Sequence, residues 1–419
     1  MLAIRLPPET KAFIFGLLLA SAASTACSSS KKTSMTGQRR PELAVFDHLM
    51  ADFLRDNDVP GGALAIMKDG RLVYARGFGL ADREEGRAVQ PDTLFRIASL
   101  SKPFTAAAVL TLVEQGKLRF SDNLLDAAGV QPALAPGQEV DPRLRRVTVE
   151  TLLRHTGGFD RDKSFDPMFR SGPIAEALGK TTPPSAADIV RYMLAQPLDF
   201  EPGERFAYSN FGYCALGRIV EHAGGTTYES FVRKQLLEPL GIRSMRLGRT
   251  RSDEKAPGEA TYYGQEKGGP YGGFDLEVMD SHGGWLASTV DLLRFARILD
   301  YPLRDGVLEA ATLRSMLAPT PGEAASPSYY ALGWEVRPVA DGKANVWHVG
   351  SLDGTSTLLV HRFDNLAWAV LFNKRRPDAP GSTEFAAMID EPLHRAAATV
   401  TRWPEDDLFG LYSARPPAQ

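Results

Sequence analysis

Residues 95–116 read FRIASLSKPFTAAAVLTLVEQG, and this stretch decides the fold. Ser99 and Lys102 stand three residues apart, so a helix that begins near Ser99 places the lysine amine within reach of the serine hydroxyl. The body over 104–113 is almost wholly apolar, which predicts a buried helix. Its N-terminal end, with free N–H groups and a positive dipole, would face a cleft in which negative charge develops.

The S-x-x-K spacing is weak evidence on its own. Ser99 could equally be a helix N-cap beside a surface lysine. The same spacing recurs in three polar stretches that no apolar helix follows, at Ser28 and Lys31, Ser29 and Lys32, and Ser252 and Lys255. Other motifs must therefore decide whether Ser99 is a nucleophile.

The composition is that of an ordinary globular protein. The chain has 419 residues, of which 43% are hydrophobic and 24% charged, with a net charge of −3. This length suits one large two-lobed unit or two domains. Because no long basic run is present, a nucleic-acid partner is not expected, and small neutral or mixed-charge substrates are favoured.

The first residues have the pattern of an export signal. Two basic residues precede an apolar run over 12–23, which is too short to span a bilayer, and small residues occupy 24–26. This run ends at Cys27 and resembles a bacterial lipobox, although Ser24 stands where leucine is usual. We therefore expect a signal peptide over 1–26 that is removed on export.

A lipidated Cys27 would become the first residue of the mature chain and hold it on a membrane. Ser28 in place of an aspartate favours the outer membrane, so we expect a periplasmic, lipid-anchored protein, with simple secretion as the alternative. Residues 27–40 are polar and aperiodic, as a tether would be. If Cys27 carries lipid, Cys214 has no disulfide partner, and its apolar neighbours predict a buried thiol rather than a nucleophile.

Hydrophobic spacing predicts strands near both ends of the chain and helices between them. The expected helices cover 42–57, 149–154, 186–196, 211–223, 228–237, 292–299, 310–317 and 384–397. Ser185 with Asp188 and Ser288 with Asp291 have the capping-box pattern ahead of two of these helices. The expected strands cover 63–67, 71–78, 332–337, 345–348, 355–362 and 366–373. Loops over 160–184 and 249–273 would border a cleft.

This arrangement predicts an α+β fold in which one sheet is built from both ends of the chain. The expected domain covers 41–419. Its sheet lobe takes in about 41–98 and 275–400, and its helical lobe about 99–250.

Two further motifs follow the serine. Tyr208 and Asn210 belong to a Y-S-N triplet that directly precedes a predicted helix, so Asn210 could simply be an N-cap. His348 and Gly350 belong to an H-V-G triplet on a predicted strand, where the glycine would let another backbone approach closely. The H-x-G triplet carries little information alone, because it also begins at His155 and at His282.

The order of these motifs carries more information than any one of them. With S-x-x-K opening a buried helix, then Y-S-N, then H-x-G on a late strand, the chain resembles the serine β-lactamase and penicillin-binding protein superfamily. Within it the chain is most similar to the group of class C β-lactamases, D-alanyl-D-alanine carboxypeptidases and family VIII esterases. The resemblance runs from about Phe46 to the C-terminal helix and includes LLRHTGGF (152–159), GGWLAST (283–289) and LGW (332–334).

The resemblance implies the β-lactamase/transpeptidase-like fold, an antiparallel sheet flanked by helices with an inserted helical lobe. It also implies a role for each motif residue. Ser99 would attack a carbonyl, Lys102 would hold or accept its proton, and Tyr208 would pass that proton to the leaving group. Asn210 would position the substrate or the lysine, and the N–H groups of Ser99 and Ser351 would form the oxyanion hole.

His348 stands where class C β-lactamases have lysine and where the carboxypeptidases and esterases often have histidine. Positive charge from Lys102, and from His348 when protonated, would favour the phenolate of Tyr208, whose reference pKa of about 10 makes it a poor base. By the same matching, His155 is expected to fix a loop.

The substrate is the least determined property. The middle residue of this motif is usually a threonine that helps to bind a substrate carboxylate, and here it is Val349, which with Gly350 would line the substrate. Because Val349 lacks a donor and His348 is a weaker cation than lysine, we expect ester hydrolysis to exceed that of penicillins or D-Ala-D-Ala peptides. An arginine elsewhere could still replace the carboxylate contact.

The expected partner is a small acyl substrate or a peptidoglycan-like peptide, with no metal or cofactor. A D-alanyl-D-alanine carboxypeptidase or a β-lactamase is the nearest alternative activity. A non-catalytic sensor of cell-wall fragments or β-lactams is a rival from another class. A metallohydrolase that uses His155, His282 and His348 is poorer still, because no metal-ligand spacing is present.

Overall fold

The computed structural model describes residues 33–264, 269–300, 306–320, 322–323, 326–339, 342–376 and 384–412. The predicted signal over 1–26 and the lipidation site Cys27 lie outside the described residues. Within the described ranges, no helix is both long and apolar enough to cross a membrane.

The strands and helices follow the predicted pattern closely. The strands are β1 (Met35–Thr36), β2 (Gly61–Lys68), β3 (Arg71–Asp82), β4 (Arg87–Ala88), β5 (Phe95–Arg96), β6 (Arg246–Leu247), β7 (Trp285–Ala287), β8 (Tyr329–Tyr330), β9 (Glu335–Pro338), β10 (Ala344–Leu352), β11 (Thr355–His361) and β12 (Leu366–Phe372). The helices are α1 (Ala44–Asp56), α2 (Lys102–Glu114), α3 (Leu124–Ala127), α4 (Val149–Leu153), α5 (Ser171–Ala177), α6 (Ala186–Met193), α7 (Asn210–Gly224), α8 (Tyr228–Val232), α9 (Thr289–Ala296), α10 (Ala310–Leu317) and α11 (Phe385–Thr399).

The main sheet joins the two ends of the chain. Its strand order is β1-β3-β2-β12-β11-β10-β9-β8, with β4 on the outer side of β3, and neighbouring strands are antiparallel. Strand β2 from the N-terminal part pairs with β12 from the C-terminal part, with Ile66 opposite Trp368. The prediction of an α+β fold with one antiparallel sheet built from both ends is therefore confirmed.

Two apolar layers cover the sheet. Helices α1 and α11 pack on one face, where Phe46 and Ile389 belong to the same cluster as Trp368. Helix α9 packs on β12 and β2 from the other side, and α2 joins that layer to the helical lobe through α7. Every residue over 102–112 is buried, so α2 is a core helix on all sides, as its composition predicts.

The structure differs from the prediction at the N-terminal boundary. Met35 and Thr36 pair with Phe78 and Gly77 of β3, and the Arg40 guanidinium donates to the Asp406 carboxylate at 2.9 Å. The folded body thus begins before residue 41, and the last residues of the tether expected over 27–40 belong to it. A two-residue edge strand is too short to show a hydrophobic period in the sequence.

Other differences concern short elements. Strands β5, β7 and β6 form a separate small sheet, and α5 lies inside the stretch 160–184 that was expected to be a loop. The helix expected over 228–237 begins as α8 and continues as the π-helical turn Arg233–Leu237. The two predicted capping boxes are confirmed, one formed by Ser185 with Asp188 and the other by Ser288 with Asp291.

Candidate active site

Ser99 lies on a short turn that is pressed against the sheet. The 3-10 helix Ala98–Ser101 leads into α2, and Ala98 has a left-handed φ of 48°. The turn packs on β10, where a Cβ added to Gly350 would lie 2.3 Å from the carbonyl oxygen of Ile97 and 3.1 Å from the nitrogen of Ser99. The expectation that Gly350 permits a close backbone approach is therefore confirmed, and that approach places Ser99 at the edge of the sheet.

Lys102 is the buried centre of a three-way contact. Its Nζ lies 3.1 Å from Ser99 Oγ, 2.8 Å from Asn210 Oδ1 and 3.2 Å from the carbonyl oxygen of His282. An amide oxygen and a carbonyl oxygen can only accept, so they take two N–H groups of the amine. The third position of Nζ faces the hydroxyl of Ser99, where a neutral amine presents its lone pair.

The charge state of Lys102 suits that role. Burial lowers the pKa of Lys102 well below its usual range, and the nearby Arg161 lowers it further, against an opposing effect of Asp166. A lysine with a depressed pKa has a larger neutral fraction near neutral pH and can accept a proton. The geometry and the electrostatics thus allow Lys102 to take the proton of Ser99.

Asn210 is held by a carboxylate that sequence reasoning missed. The N-cap of α7 is Ser209, whose Oγ accepts from Gly212 N at 3.1 Å, so Asn210 is not the cap. The Asn210 amide is instead oriented between two partners, because its Nδ2 donates to Asp166 Oδ2 at 2.7 Å while its Oδ1 accepts from Lys102. Asp166 lies in the stretch expected to be a loop, and no local pattern marks it.

Tyr208 is packed between rings and cations. Its ring centroid lies 4.4 Å from that of His155, 4.8 Å from Lys102 Nζ and 4.9 Å from Arg161 Cζ. Burial raises the pKa of Tyr208 above its usual range, although a hydrogen bond with Ser99 and the charge of Arg161 oppose that rise. Burial therefore outweighs the neighbouring positive charge that was expected to favour the phenolate, and Tyr208 is a phenol that can donate.

His348 is a neutral histidine. Its Nδ1 lies 2.7 Å from the carbonyl oxygen of Val349, which can only accept, so Nδ1 carries the proton and Nε2 accepts from the Tyr330 hydroxyl at 3.0 Å. Burial, with a contribution from Lys102, lowers the pKa of His348 to about 3. The expected pH-dependent positive charge on His348 is thus absent near neutral pH, because burial outweighs any gain from charging the ring.

The other residues of that strand face in two directions. Val349 packs among the apolar side chains beneath α1 and α11, away from the cavity beside Ser99, so its side chain is not placed to line a substrate there. Ser351 does line the cavity, and its Oγ donates to Glu384 Oε1 at 3.0 Å. Its role in the oxyanion hole stays a prediction.

We call the space next to Ser99 the serine cavity. It has a volume of about 510 Å³, and its walls include Ser99, Asn210, His282, Ser351, Phe169 and Phe274. Two arginines, Arg161 and Arg375, also line it. An arginine elsewhere in the chain was expected as an alternative contact for a substrate carboxylate. Its position could not be predicted, because both arginines lie outside the helices and strands.

The other histidines have structural positions. His155 has a φ of 58°, its carbonyl accepts from Ala207 N at 2.9 Å, and its Nδ1 accepts from Ser209 N at 3.1 Å, which fits the expected loop-fixing role. The ring of His282 is buried without a hydrogen-bond partner among the described residues.

The described residues hold no group of three His, Cys, Asp or Glu side chains that could bind a metal ion. Cys214 is buried, and burial raises its thiol pKa to about 12.

Comparison with known proteins agrees with this geometry. Esterase EstB from Burkholderia gladioli is 35% identical over 211 residues, which cover 48% of this chain and 49% of EstB, so the chain spans about half the length of that relative. Penicillin-binding protein 4 from Amycolatopsis lactamdurans is 31% identical over 314 residues, covering 69% and 74%. The solved octameric penicillin-binding protein homologue from Pyrococcus abyssi has a TM-score of 0.64 at 26% identity, covering 78% and 72%.

The family assignment rests on most of the chain. The Beta-lactamase family model matches residues 46–391, which include the serine turn, the Y-S-N triplet and the H-V-G strand. The chain therefore belongs to the beta-lactamase family.

Proposed function

We propose that the protein hydrolyses small uncharged acyl esters through a covalent acyl-enzyme on Ser99, in preference to β-lactams and D-alanyl peptides. The observation that carries this proposal is the contact of 3.1 Å between Ser99 Oγ and Nζ of the buried Lys102 at the wall of the serine cavity. A serine becomes a useful nucleophile when an adjacent base can accept its proton.

The first half of the reaction forms the acyl-enzyme. Ser99 Oγ attacks the ester carbonyl carbon and gives its proton to the neutral amine of Lys102. The N–H groups of Ser99 and Ser351 would hold the oxyanion, a contribution whose loss costs on the order of 3 kcal/mol per donor in such enzymes. The ester C–O bond then breaks, and the leaving oxygen takes a proton from the phenol of Tyr208, which regains one from the Lys102 ammonium.

In the second half, water is the nucleophile and Ser99 Oγ is the leaving group. A water molecule gives a proton to the Lys102 amine and attacks the acyl carbon, and the bond to Ser99 Oγ breaks. Ser99 Oγ takes a proton from the Lys102 ammonium, and the free acid leaves. Asn210, fixed by Asp166, keeps the amine aimed at Ser99 through both halves.

Two observations support the preference for esters. His348 is neutral where a positive charge would hold a substrate carboxylate, and the side chain of Val349 points away from the cavity. A site without a partner for a charged group gives little selectivity for it. The similarity to esterase EstB points the same way.

A second candidate activity is hydrolysis of β-lactams or D-alanyl-D-alanine peptides. The observation that favours it is the presence of Arg161 and Arg375 in the wall of the serine cavity, since guanidinium groups bind carboxylates well. The similarity to penicillin-binding protein 4 agrees with it.

The discriminating experiment compares three substrates at one pH. We expect kcat/KM for p-nitrophenyl butyrate to exceed that for nitrocefin and for a diacylated D-Ala-D-Ala peptide. Faster turnover of nitrocefin or the peptide would reverse the order of the two candidates. Binding of penicillin without turnover of any of the three would instead support a non-catalytic sensor.

We also propose that the protein is exported and held in the periplasm, on the outer membrane, by a lipid on Cys27. The support is the sequence pattern over 1–27. Replacing Cys27 with serine should move the protein from the membrane fraction to the soluble periplasmic fraction. If the wild type is already soluble there, the signal is an ordinary secretory one.

A further inference from the structure

A second cavity, of about 440 Å³, opens beside Tyr208 and shares no lining residue with the serine cavity. Its seven described lining residues include no lysine or arginine, in contrast to the two arginines of the serine cavity. We call it the aromatic cavity, because four of its residues are aromatic and two are acidic. The residues are Phe206, Tyr208, Tyr329, Tyr330, Glu323, Glu335 and Ser328.

The aromatic residues present rings rather than free hydroxyls. The Tyr329 hydroxyl donates to the carbonyl oxygen of Leu317 at 2.8 Å, and that of Tyr330 is bound to His348. The ring planes of Tyr208 and Tyr330 meet at 89° with centroids 6.3 Å apart. Phe206, 47% exposed, forms the rim. The ring of Tyr208 already contacts Lys102 and Arg161, so the rings that can attract a further cation through their negative faces are the other three of this cavity.

The acidic residues supply the opposite charge. Glu335 begins β9, and its half-buried carboxylate makes no hydrogen bond or ion pair with other described residues. Burial raises the pKa of Glu335, and only the charge of Arg337 opposes this. Glu323 differs, because its Oε2 already accepts from Thr320 Oγ1 at 2.7 Å. A bound cation would give Glu335 the partner that it lacks.

The position of Tyr208 relates this cavity to the reaction. Its hydroxyl interacts with Ser99, which opposes the rise in its pKa, and in the proposed mechanism it donates to the leaving oxygen. The atoms beyond that oxygen therefore start beside the ring of Tyr208, which is part of the aromatic cavity. In that arrangement the leaving alcohol, rather than the acyl group, would extend toward the aromatic cavity.

We infer that the aromatic cavity binds an ammonium group carried by the leaving alcohol, so that esters of cationic amino alcohols are preferred substrates. This inference rests on the proposed ester hydrolysis. The bond from Ser99 Oγ to the acyl carbon forms, the ester C–O bond breaks, and the amino alcohol leaves with the proton of Tyr208. The charge of the ammonium group does not change in the reaction.

The experiment compares butyrylcholine with 3,3-dimethylbutyl butyrate, in which carbon replaces the charged nitrogen. The wild type should favour the cationic ester by about tenfold in kcat/KM, the scale of a cation held by aromatic rings and a carboxylate. In Glu335→Gln this ratio should fall close to one, while Glu335→Asp should keep part of it. Glu85→Gln removes an exposed carboxylate outside both cavities and should leave the ratio as in the wild type.

A binding measurement separates the site from the reaction. Tetramethylammonium chloride, titrated calorimetrically into Ser99→Ala, should bind saturably, and the Glu335→Gln change in that background should abolish binding. Equal rates for the two esters without such binding would overturn the cation site and leave ester hydrolysis standing. Binding of tetramethylammonium without turnover of either ester would overturn ester hydrolysis and keep the cation site. Binding with equal rates for the two esters would overturn the assignment of the aromatic cavity to the leaving group.

Discussion

The two walls of the serine cavity are built differently. One wall is the 3-10 turn that carries Ser99, together with Ser351 of β10, and behind it Lys102 and His348 are buried and their charge states are set by burial. The other is the stretch 160–184, where the Arg161 side chain is 40% exposed and its guanidinium lies over the ring of Tyr208. The buried wall carries the groups that move protons, whereas the exposed wall carries charge that a substrate can meet. We therefore expect mutations in the first to change the rate and those in the second to change the choice of substrate.

The largest effect should come from the buried wall. Lys102→Met keeps most of the side-chain volume and removes the amine that faces Ser99, so kcat/KM for p-nitrophenyl butyrate should fall about 10³-fold, as for loss of a general base. Circular dichroism should show an unchanged fold. Lys117→Ala, which alters an exposed lysine just after α2, is the matched control and should keep full activity. Activity within tenfold of the wild type in Lys102→Met would contradict the assigned role.

The pH profile of the wild-type protein tests the role of Lys102 without mutation. Because the pKa of Lys102 is lowered in the folded protein, the amine is neutral above that pKa, and kcat/KM should fall about tenfold per pH unit below it. His348, with a pKa of about 3, should add no step near neutrality. The raised pKa of Tyr208 keeps the phenol protonated, so kcat/KM should not decline between about pH 8 and about pH 9. A decline there, with the fold intact by circular dichroism, would contradict this account.

The exposed wall should show a smaller and selective effect. Arg161→Gln removes a cation from the serine cavity and also one that lowers the pKa of Lys102, so both proteins are compared at a pH where kcat/KM no longer depends on pH. There any turnover of nitrocefin, which is anionic, should fall about tenfold through KM, while that of p-nitrophenyl butyrate changes less. Arg251→Gln, at an exposed arginine paired with Asp253, is the control for net charge. An equal fall in kcat for both substrates would place Arg161 in the catalytic machinery and would break the distinction between the walls.

The smallest effect is expected at Val349. The family resemblance marks this position as a substrate contact, but the side chain packs beneath α1 and α11. Val349→Thr should therefore leave the ratio of kcat/KM values for nitrocefin and p-nitrophenyl butyrate within about twofold of the wild type. Because Val349 is only partly buried, the stability should fall by no more than about 1 kcal/mol. A clear gain in nitrocefin turnover would show that the side chain reaches the substrate.

The buried wall was also the part that the sequence could predict. Helix α2, the strands β10–β12 and both capping boxes follow from local periodicity and spacing. The neutral state of His348 could not be predicted, because its pKa depends on burial by distant parts of the chain. Asp166 and Arg161 could not be located either, since a stretch without hydrophobic periodicity gives no indication of which side chains turn toward the site.

The central claim is that Ser99 forms the covalent intermediate, and adduct mapping tests it most directly. The wild-type protein is incubated with a fluorophosphonate probe, digested and examined by mass spectrometry, with Ser252→Ala as the control because Ser252 and Lys255 repeat the S-x-x-K spacing in an exposed stretch. We expect one adduct, on the peptide that contains Ser99. This adduct should be unchanged in Ser252→Ala and absent in Ser99→Ala. An adduct on Ser252, or none on Ser99 while esters are still hydrolysed, would contradict it.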